Sequence, residues 1–212
     1  MSYNDDICKL VIENIALLEE APLVIEEIEK NIFKAINGKF KEYFESYTTW
    51  EGFYSYFEEG DREQTRIKPK IWPIDEDEYQ AYYEFIDESD ECEYYLTALF
   101  GGKPSCKYSI TFHFDAINLC GMNKRTWRDF LKTEYSARQD LKANGVEINA
   151  VTKDANLFIP IRLDPKKVAN EYPVFDECLL PIDEAINTLM KVHPLIDEIV
   201  QEALQQKKKS GA

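Results

Sequence analysis

The sequence lacks most of the signals by which membrane proteins and catalytic proteins are recognised. No apolar run approaches the roughly 18 residues that a membrane span needs, and the N-terminal MSYNDDICKL has neither the basic nor the apolar part of a signal peptide. The nucleophile and phosphate-binding motifs GxSxG, GxGxxG and GxxxxGK[ST] are all missing. We therefore expect a cytoplasmic protein without a membrane contact, located in the host cytoplasm if a phage encodes it.

Histidine and cysteine are too few and too scattered to predict a metal centre. His113 and His193 lie far apart in the chain, and the five cysteines include no CxxC pair. An odd number of widely spaced cysteines argues against both a zinc site and a disulfide framework. We predict five reduced cysteines packed as small core residues, no metal, no cofactor and no catalytic residue.

Positive charge is missing from one long segment. Residues 71–102 contain no Lys or Arg, and residues 72–93 hold ten acidic residues. Residues 42–102 carry 17 acids and four bases, a charge of -13, whereas the whole chain carries -15. Protein surfaces usually mix both signs, and a field of one sign repels nucleic acid while it attracts basic protein surfaces. The segment therefore predicts a surface that binds a basic partner, with no direct contact to nucleic acid.

The aromatic residues between these acids strengthen that prediction, because aromatic side chains are enriched at interfaces. Carboxylates three or four positions apart on a helix are about 5–6 Å apart, which is comparable with the roughly 7 Å between phosphates along one DNA strand. An acidic helical face could therefore mimic nucleic acid. The predicted partner contacts are Glu58, Glu59, Asp61, Asp75, Glu76, Asp77, Glu78, Glu84, Asp87, Glu88, Asp90 and Glu91.

In its size, acidity and mixed secondary structure the chain resembles the anti-restriction and anti-CRISPR proteins that inhibit host defence enzymes. The resemblance implies a non-enzymatic inhibitor from a phage or mobile element. Such a protein would block a nucleic-acid-binding defence enzyme by occupying the basic surface of that enzyme.

The apolar periodicity predicts a single α+β domain over residues 1–206. We expect N-terminal helices over about 5–47, interrupted at Pro22, and a mainly antiparallel sheet of about 4–5 strands with an inserted helix. A C-terminal helix, kinked or split at Pro194, should close the fold, and residues 207–212 should be a disordered tail or a cloning remnant. Further expected elements are a short helix over 75–88, a hairpin over 91–115 and a helix over 123–145.

Two alternative functions stay open. The chain could be an enzyme or a degenerate nuclease-like protein, and a deep pocket containing His113 or Asp115 near Glu147 would favour that alternative. We expect Asp115 and His113 on opposite sides of their strand, which argues against an acid–base pair. The chain could also be a structural subunit of a larger assembly, which an exposed apolar stripe along residues 7–36 would support. The sequence does not predict the oligomeric state.

Overall fold

The computed structural model describes residues 4–54, 65–72, 74–75, 78–87, 92, 94–103, 106–150 and 155–210. Its architecture is α+β, which confirms the predicted class. N-terminal helices precede an antiparallel sheet, helices are inserted between its strands, and a long helix closes the chain. The main sheet has six strands, slightly more than the four or five predicted.

The helices of the described residues are α1 (Asp5–Glu13), α2 (Ile15–Glu45), α3 (Tyr95–Leu99), α4 (Ala116–Cys120), α5 (Lys124–Ala137), α6 (Gln139–Ala143), α7 (Pro165–Glu171) and α8 (Leu180–Ser210), with a 3-10 turn at Glu177–Leu179. The strands are β1 (Trp50–Phe53), β2 (Thr65–Pro69), β3 (Ile74–Asp75), β4 (Glu78–Tyr79), β5 (Ala81–Asp87), β6 (Tyr108–Phe114), β7 (Glu147–Asn149) and β8 (Asn156–Ile161).

The two N-terminal helices meet at Asn14, whose φ of -117° and ψ of 21° lie outside the helical region. The Asn14 N–H donates to the Leu10 carbonyl at 3.2 Å at the end of α1, and the Asn14 carbonyl accepts from the Leu18 N–H at 3.0 Å at the start of α2. The predicted interruption at Pro22 is wrong, because Pro22 lies inside α2 and the helix continues on both sides of it. Pro194 likewise lies inside α8, which is not split. A proline removes one backbone donor from a helix, and the adjoining turns sustain the helix at both positions.

The six-stranded sheet has the order β1-β2-β5-β6-β8-β7, and every neighbouring pair is antiparallel. The helix predicted over residues 75–88 is wrong, since this segment forms β3, β4 and the central strand β5. β5 pairs with β2 on one side and with β6 on the other. The aromatic and branched residues of AYYEFID have high strand propensity, and a strand between two neighbours can bury both of its faces.

The predicted hairpin over residues 91–115 is half right. Its second strand is β6, with Tyr108, Ile110 and Phe112 buried on one face as expected. Residues 95–99 instead form α3. β6 already pairs with β5 and β8, so it has no free edge for another strand.

The cysteine prediction is only partly right. Cys92 and Cys106 form a disulfide on either side of α3, with a Cα–Cα distance of 6.4 Å that lies in the usual range for such a bond. Cys120 and Cys178 are buried thiols outside this disulfide, as expected for small core residues. Cys8 is free and exposed. Spacing along the chain does not report distance in the fold, which is why sequence reasoning missed the bond.

The main core lies between one face of the sheet and the long helices. Phe33 on α2 lies within 6.1 Å of Phe85 on β5 and within 5.4 Å of Tyr108 on β6, measured between ring centroids. Phe40 lies 5.6 Å from Phe85. Helix α8 contributes a buried row that contains Ile182, Ile186, Leu189, Val192, Ile196, Ile199, Val200 and Ala203. These contacts position the opposite face of the sheet, which carries the polar residues described next.

Candidate functional site

The structure brings only part of the predicted acidic surface into view. Of the twelve predicted partner contacts, the side chains of Glu84 and Asp87 are described. Asp75 and Glu78 belong to β3 and β4, of which only the backbone is described. The other eight lie outside the described residues: Glu58, Glu59, Asp61, Glu76, Asp77, Glu88, Asp90 and Glu91.

Glu84 is not a surface contact, and this prediction needs correction. Only 2% of the Glu84 surface is exposed to solvent. One carboxylate oxygen accepts a hydrogen bond from Arg66 Nε at 2.7 Å, and the other lies 3.1 Å from His113 Nε2. Arg66 comes from β2 and His113 from β6, so neighbouring strands supply both partners. Sequence reasoning assumed a helix here and could not anticipate cross-strand partners.

The environment keeps Glu84 ionised. Burial by itself raises the pKa of this carboxyl, because a charge is costly away from water. The hydrogen bond and charge of His113, followed by those of Arg66, act in the opposite direction and leave the pKa below its ordinary value. Tyr82 completes the cluster. Its ring stacks on the His113 imidazole, with 4.9 Å between the ring centroids, and the Arg66 guanidinium lies 5.1 Å from the centroid of the Tyr82 ring. His113 is therefore held in one orientation.

A cleft of about 380 Å³ opens beside this cluster. Its polar wall consists of Gln80, Tyr82, His113, Asp115, Lys124 and Asn156, while Phe114 and Trp127 form part of its apolar wall. The Asn156 side-chain oxygen is shielded from solvent and has no hydrogen-bond partner among the described residues. Such an acceptor can receive a hydrogen bond from a ligand.

The cleft combines His113 and Asp115, which the sequence analysis placed on opposite sides of a strand. The expected separation is wrong, because side chains two positions apart along an extended segment point to the same side, and both residues line the cleft. Asp115 also caps α4, where its carboxylate accepts hydrogen bonds from the Asn118 N–H at 3.1 Å and the Asn118 side chain at 2.6 Å. Glu147 does not line this cleft and pairs with Lys107 at 3.4 Å. The expected three-residue site is thus present only in part.

The second histidine belongs to the core. The Tyr83 hydroxyl and His193 Nδ1 share a hydrogen bond of 2.9 Å, and the rings of Trp50 and Trp72 lie 4.7 and 5.4 Å from the imidazole. Burial lowers the pKa of His193 to about 4, although the carboxylate of Asp197 acts to raise it. His193 is therefore a neutral structural residue near pH 7.

A contiguous exposed apolar surface lies on the two N-terminal helices. We call residues 5–28 the arm, because no residue in this range is buried. Nine large aliphatic residues of the arm are 41 to 73% exposed: Ile7, Leu10, Val11, Ile12, Ile15, Leu17, Leu18, Leu23 and Val24. This is the exposed stripe that the structural-subunit alternative requires, over residues 7–24 of the predicted 7–36. From residue 29 onward the apolar face of α2 is buried against the rest of the fold. We call the described residues from 29 to 206 the body.

The exposed residues follow a heptad pattern. Val11, Leu18 and Ile25 occupy position a, and Ile7, Asn14, Ala21 and Ile28 occupy position d. Leu10, Leu17 and Val24 at position g, with Ile15 at position e, widen this seam into one apolar face. All seven acids of the arm fall at positions b and c, on the opposite side. The arm therefore has an uncovered apolar face and a separate acidic face.

The basic residues of the inserted helix form local ion pairs. Arg125 and Arg128 lie 4.0 and 3.6 Å from Asp129, and Arg138 pairs with Glu134 on α5 and with Glu198 and Glu202 on α8. Burial acts to lower the pKa of Arg138, but its acidic partners raise it overall. Three arginines of this segment are thus engaged by acidic partners of the same chain.

The chain was compared with known protein families, curated proteins and solved structures, and none of them matches. Among the described residues, no helix is long and apolar enough to cross a bilayer. No group of three or more acidic, histidine or cysteine side chains in this same part of the chain is placed to hold a metal ion.

Proposed function

We propose that the protein is a non-enzymatic interaction protein that docks to a protein partner through the apolar face of its arm. One observation carries this proposal: nine large aliphatic residues lie exposed on residues 5–28, whereas from residue 29 onward the apolar face of α2 is buried. A contiguous apolar patch of this kind is characteristic of an interaction site. The proposal corresponds to the subunit alternative and moves the docking surface from the acidic segment to the arm.

A membrane surface suits the arm less well than a protein. Residues 5–28 contain seven acids and a single base, Lys9. Helices that lie on membranes are usually rich in Lys and Arg on the polar face, because most target membranes are anionic. The acidic face of the arm would be repelled by such a surface, whereas a protein partner need only cover the apolar face.

The native thiol of Cys8 tests whether the arm is available for docking. Cys8 lies on the arm, whereas Cys120 and Cys178 are buried in the body. In highly diluted protein, Cys8 should react with a thiol reagent at the rate of an unstructured cysteine, and the two buried cysteines should react only after unfolding. Protection of Cys8 at the lowest concentration would mean that the arm packs on its own body, which contradicts the proposal.

A more specific proposal concerns the acidic segment. In this version, residues 42–93 bind the basic surface of a nucleic-acid-binding protein by mimicking the charge of nucleic acid. Its support is the charge of -13 over residues 42–102, which favours basic surfaces at low salt. Replacing Glu58, Glu59, Asp61 and Glu88 by Lys should abolish salt-sensitive binding to such a partner. Unchanged affinity at low salt would exclude this version and leave the arm as the docking surface.

The cleft supports a second candidate function, proton transfer to or from a small polar ligand by His113. The buried carboxylate of Glu84 lies 3.1 Å from His113 Nε2 and orients this imidazole at the wall of the cleft of about 380 Å³. A histidine held in this way has the geometry of a general acid or base. Imidazole NMR can test it with a panel of phosphate, carboxylates and nucleotides. A ligand should shift the His113 resonance and leave the core residue His193 unchanged; no shift with the entire panel would remove this candidate.

A further inference from the structure

The apolar face of the arm has the composition of a protein core. Residues 5–28 contain no aromatic residue and no Arg, whereas interfaces between unlike proteins rely on Trp, Tyr and Arg as anchors. Interfaces of permanent homodimers are more apolar and resemble a core cut in half. We propose that the occupant of this face is a second copy of this chain. This inference rests on the proposed function and names its partner.

The charges of the arm are compatible with self-association despite the net charge of -15. The acids all lie at heptad positions b and c, behind the apolar face, so two copies can meet without placing carboxylates between them. These acids are Asp5, Asp6, Glu13, Glu19, Glu20, Glu26 and Glu27. In a coiled-coil packing, the residues that contact the partner are those at a and d, flanked by e and g.

The available area also fits a dimer. The exposed surface of the seven large aliphatic residues on the apolar face sums to on the order of 700 Å² per copy, close to the roughly 800 Å² that each partner contributes to a stable interface of standard size. These residues are Ile7, Leu10, Val11, Ile15, Leu17, Leu18 and Val24. The arm spans about 36 Å at 1.5 Å per residue, which is more than three heptads.

A single polar residue interrupts the a and d positions of the arm. Asn14 occupies a d position, and every other a or d residue from Ile7 to Ile28 is aliphatic. One buried Asn in such a seam lowers stability but selects a unique register, because it must meet a polar group in the partner. A second copy of the same arm carries such a group at the same position.

The test is the mass of the full-length chain in solution, measured by sedimentation over a concentration series. The wild-type protein should have twice the monomer mass of 24.8 kDa at micromolar concentration. The double variant Val11→Glu/Leu18→Glu should be monomeric, with a dissociation constant raised at least ~100-fold, because it places charges at two a positions in the centre of the apolar face. The matched control Ile12→Glu/Leu23→Glu makes the same change at positions b and f, outside that face, and should remain dimeric.

Labelling of Cys8 separates failure of this inference from failure of the proposed function. Cys8 lies at position e, at the border of the apolar face, so self-association should slow its labelling as concentration rises. A chain that is monomeric up to about 100 μM with a fast-reacting Cys8 would exclude the second copy but leave the arm as a docking surface for another partner. A monomer with a protected Cys8 would overturn both proposals. A dimer that survives Val11→Glu/Leu18→Glu would overturn the inference by placing the interface elsewhere.

Discussion

Both parts of helix α2 are amphipathic, but their apolar faces have opposite surroundings. Up to Ile28 its aliphatic residues are largely exposed, whereas from Glu29 onward Ile32, Phe33, Ile36, Phe40 and Phe44 are at most 1% exposed. The Glu29 carboxylate marks the boundary, where it is buried and accepts a hydrogen bond from the Leu96 N–H at 3.1 Å. Burial raises the pKa of Glu29 more than its backbone hydrogen bonds lower it. An amphipathic pattern thus identifies an apolar face, but the rest of the chain decides whether that face is covered.

The largest effect should come from removing a side chain on the covered part of α2. Phe33→Ala would leave a cavity among Phe85, Tyr95 and Tyr108 and should lower the free energy of unfolding by about 3–5 kcal/mol. Leu17→Ala on the arm should lower it by less than about 0.5 kcal/mol in dilute protein. Denaturant unfolding at a concentration where the chain is monomeric provides the measurement. Equal losses in the two variants would contradict the division between arm and body.

Mild acid should destabilise the body through its buried histidine, His193. The pKa of His193 is about 4 in the fold and 6.5 in an ordinary environment, a difference worth roughly 3 kcal/mol. The unfolded chain therefore binds the proton more tightly than the folded chain. This contribution to stability is fully present above pH 6.5, is lost between pH 6.5 and about 4, and declines no further below that.

Unfolding measured at several pH values between 7 and 4 tests this assignment. His193→Gln keeps a hydrogen-bonding side chain and removes the titration, so its stability should vary less over the interval. If wild type and variant show the same slope, His193 is not the titrating group.

A smaller effect should distinguish an ion pair of the body from an ion pair on the surface of α2. Glu84→Gln removes the charge that holds Arg66 and His113, and it should cost about 1–3 kcal/mol, in the lower part of the usual range because both partners are partly exposed. Glu45→Gln breaks the exposed pair with Lys41 at 3.9 Å and should cost less than about 0.5 kcal/mol. Thermal unfolding at pH 7 compares the two variants. Similar costs would mean that burial of Glu84 does not strengthen its interactions.

Several elements could be predicted because their signals are local. The helical segment expected over 123–145 has both a capping Asn123 and an apolar stripe, although it divides into α5 and α6 at Arg138. β7 and β8 are short runs of strand-forming residues that pair with each other. The alternation of β6 correctly separated Tyr108, Ile110 and Phe112 from Ser109, Thr111 and His113. Such features depend on periodicity and capping within one segment.

The segment from residue 75 to residue 106 was predicted wrongly because its structure depends on distant partners. Tyr79, Tyr82, Tyr83 and Ile86 fit a helical face, but β5 lies between β2 and β6 and is stabilised by both. α3 forms where a strand was expected because no edge of β6 is free. The cluster of Glu84, Arg66 and His113 could not be predicted for the same reason, since its three residues come from three strands.

By itself, the sequence determined the α+β class, the helical periodicity of both ends, the polar and apolar faces of β6 and the concentration of negative charge over residues 42–102. These properties follow from residue order and composition. Only the tertiary structure decided that Glu84 is buried, that Cys92 meets Cys106, that His113 lines a cleft and that the arm is left uncovered. Each of these depends on which segments meet in space, and strand pairing and helix docking set those contacts over long separations in the chain.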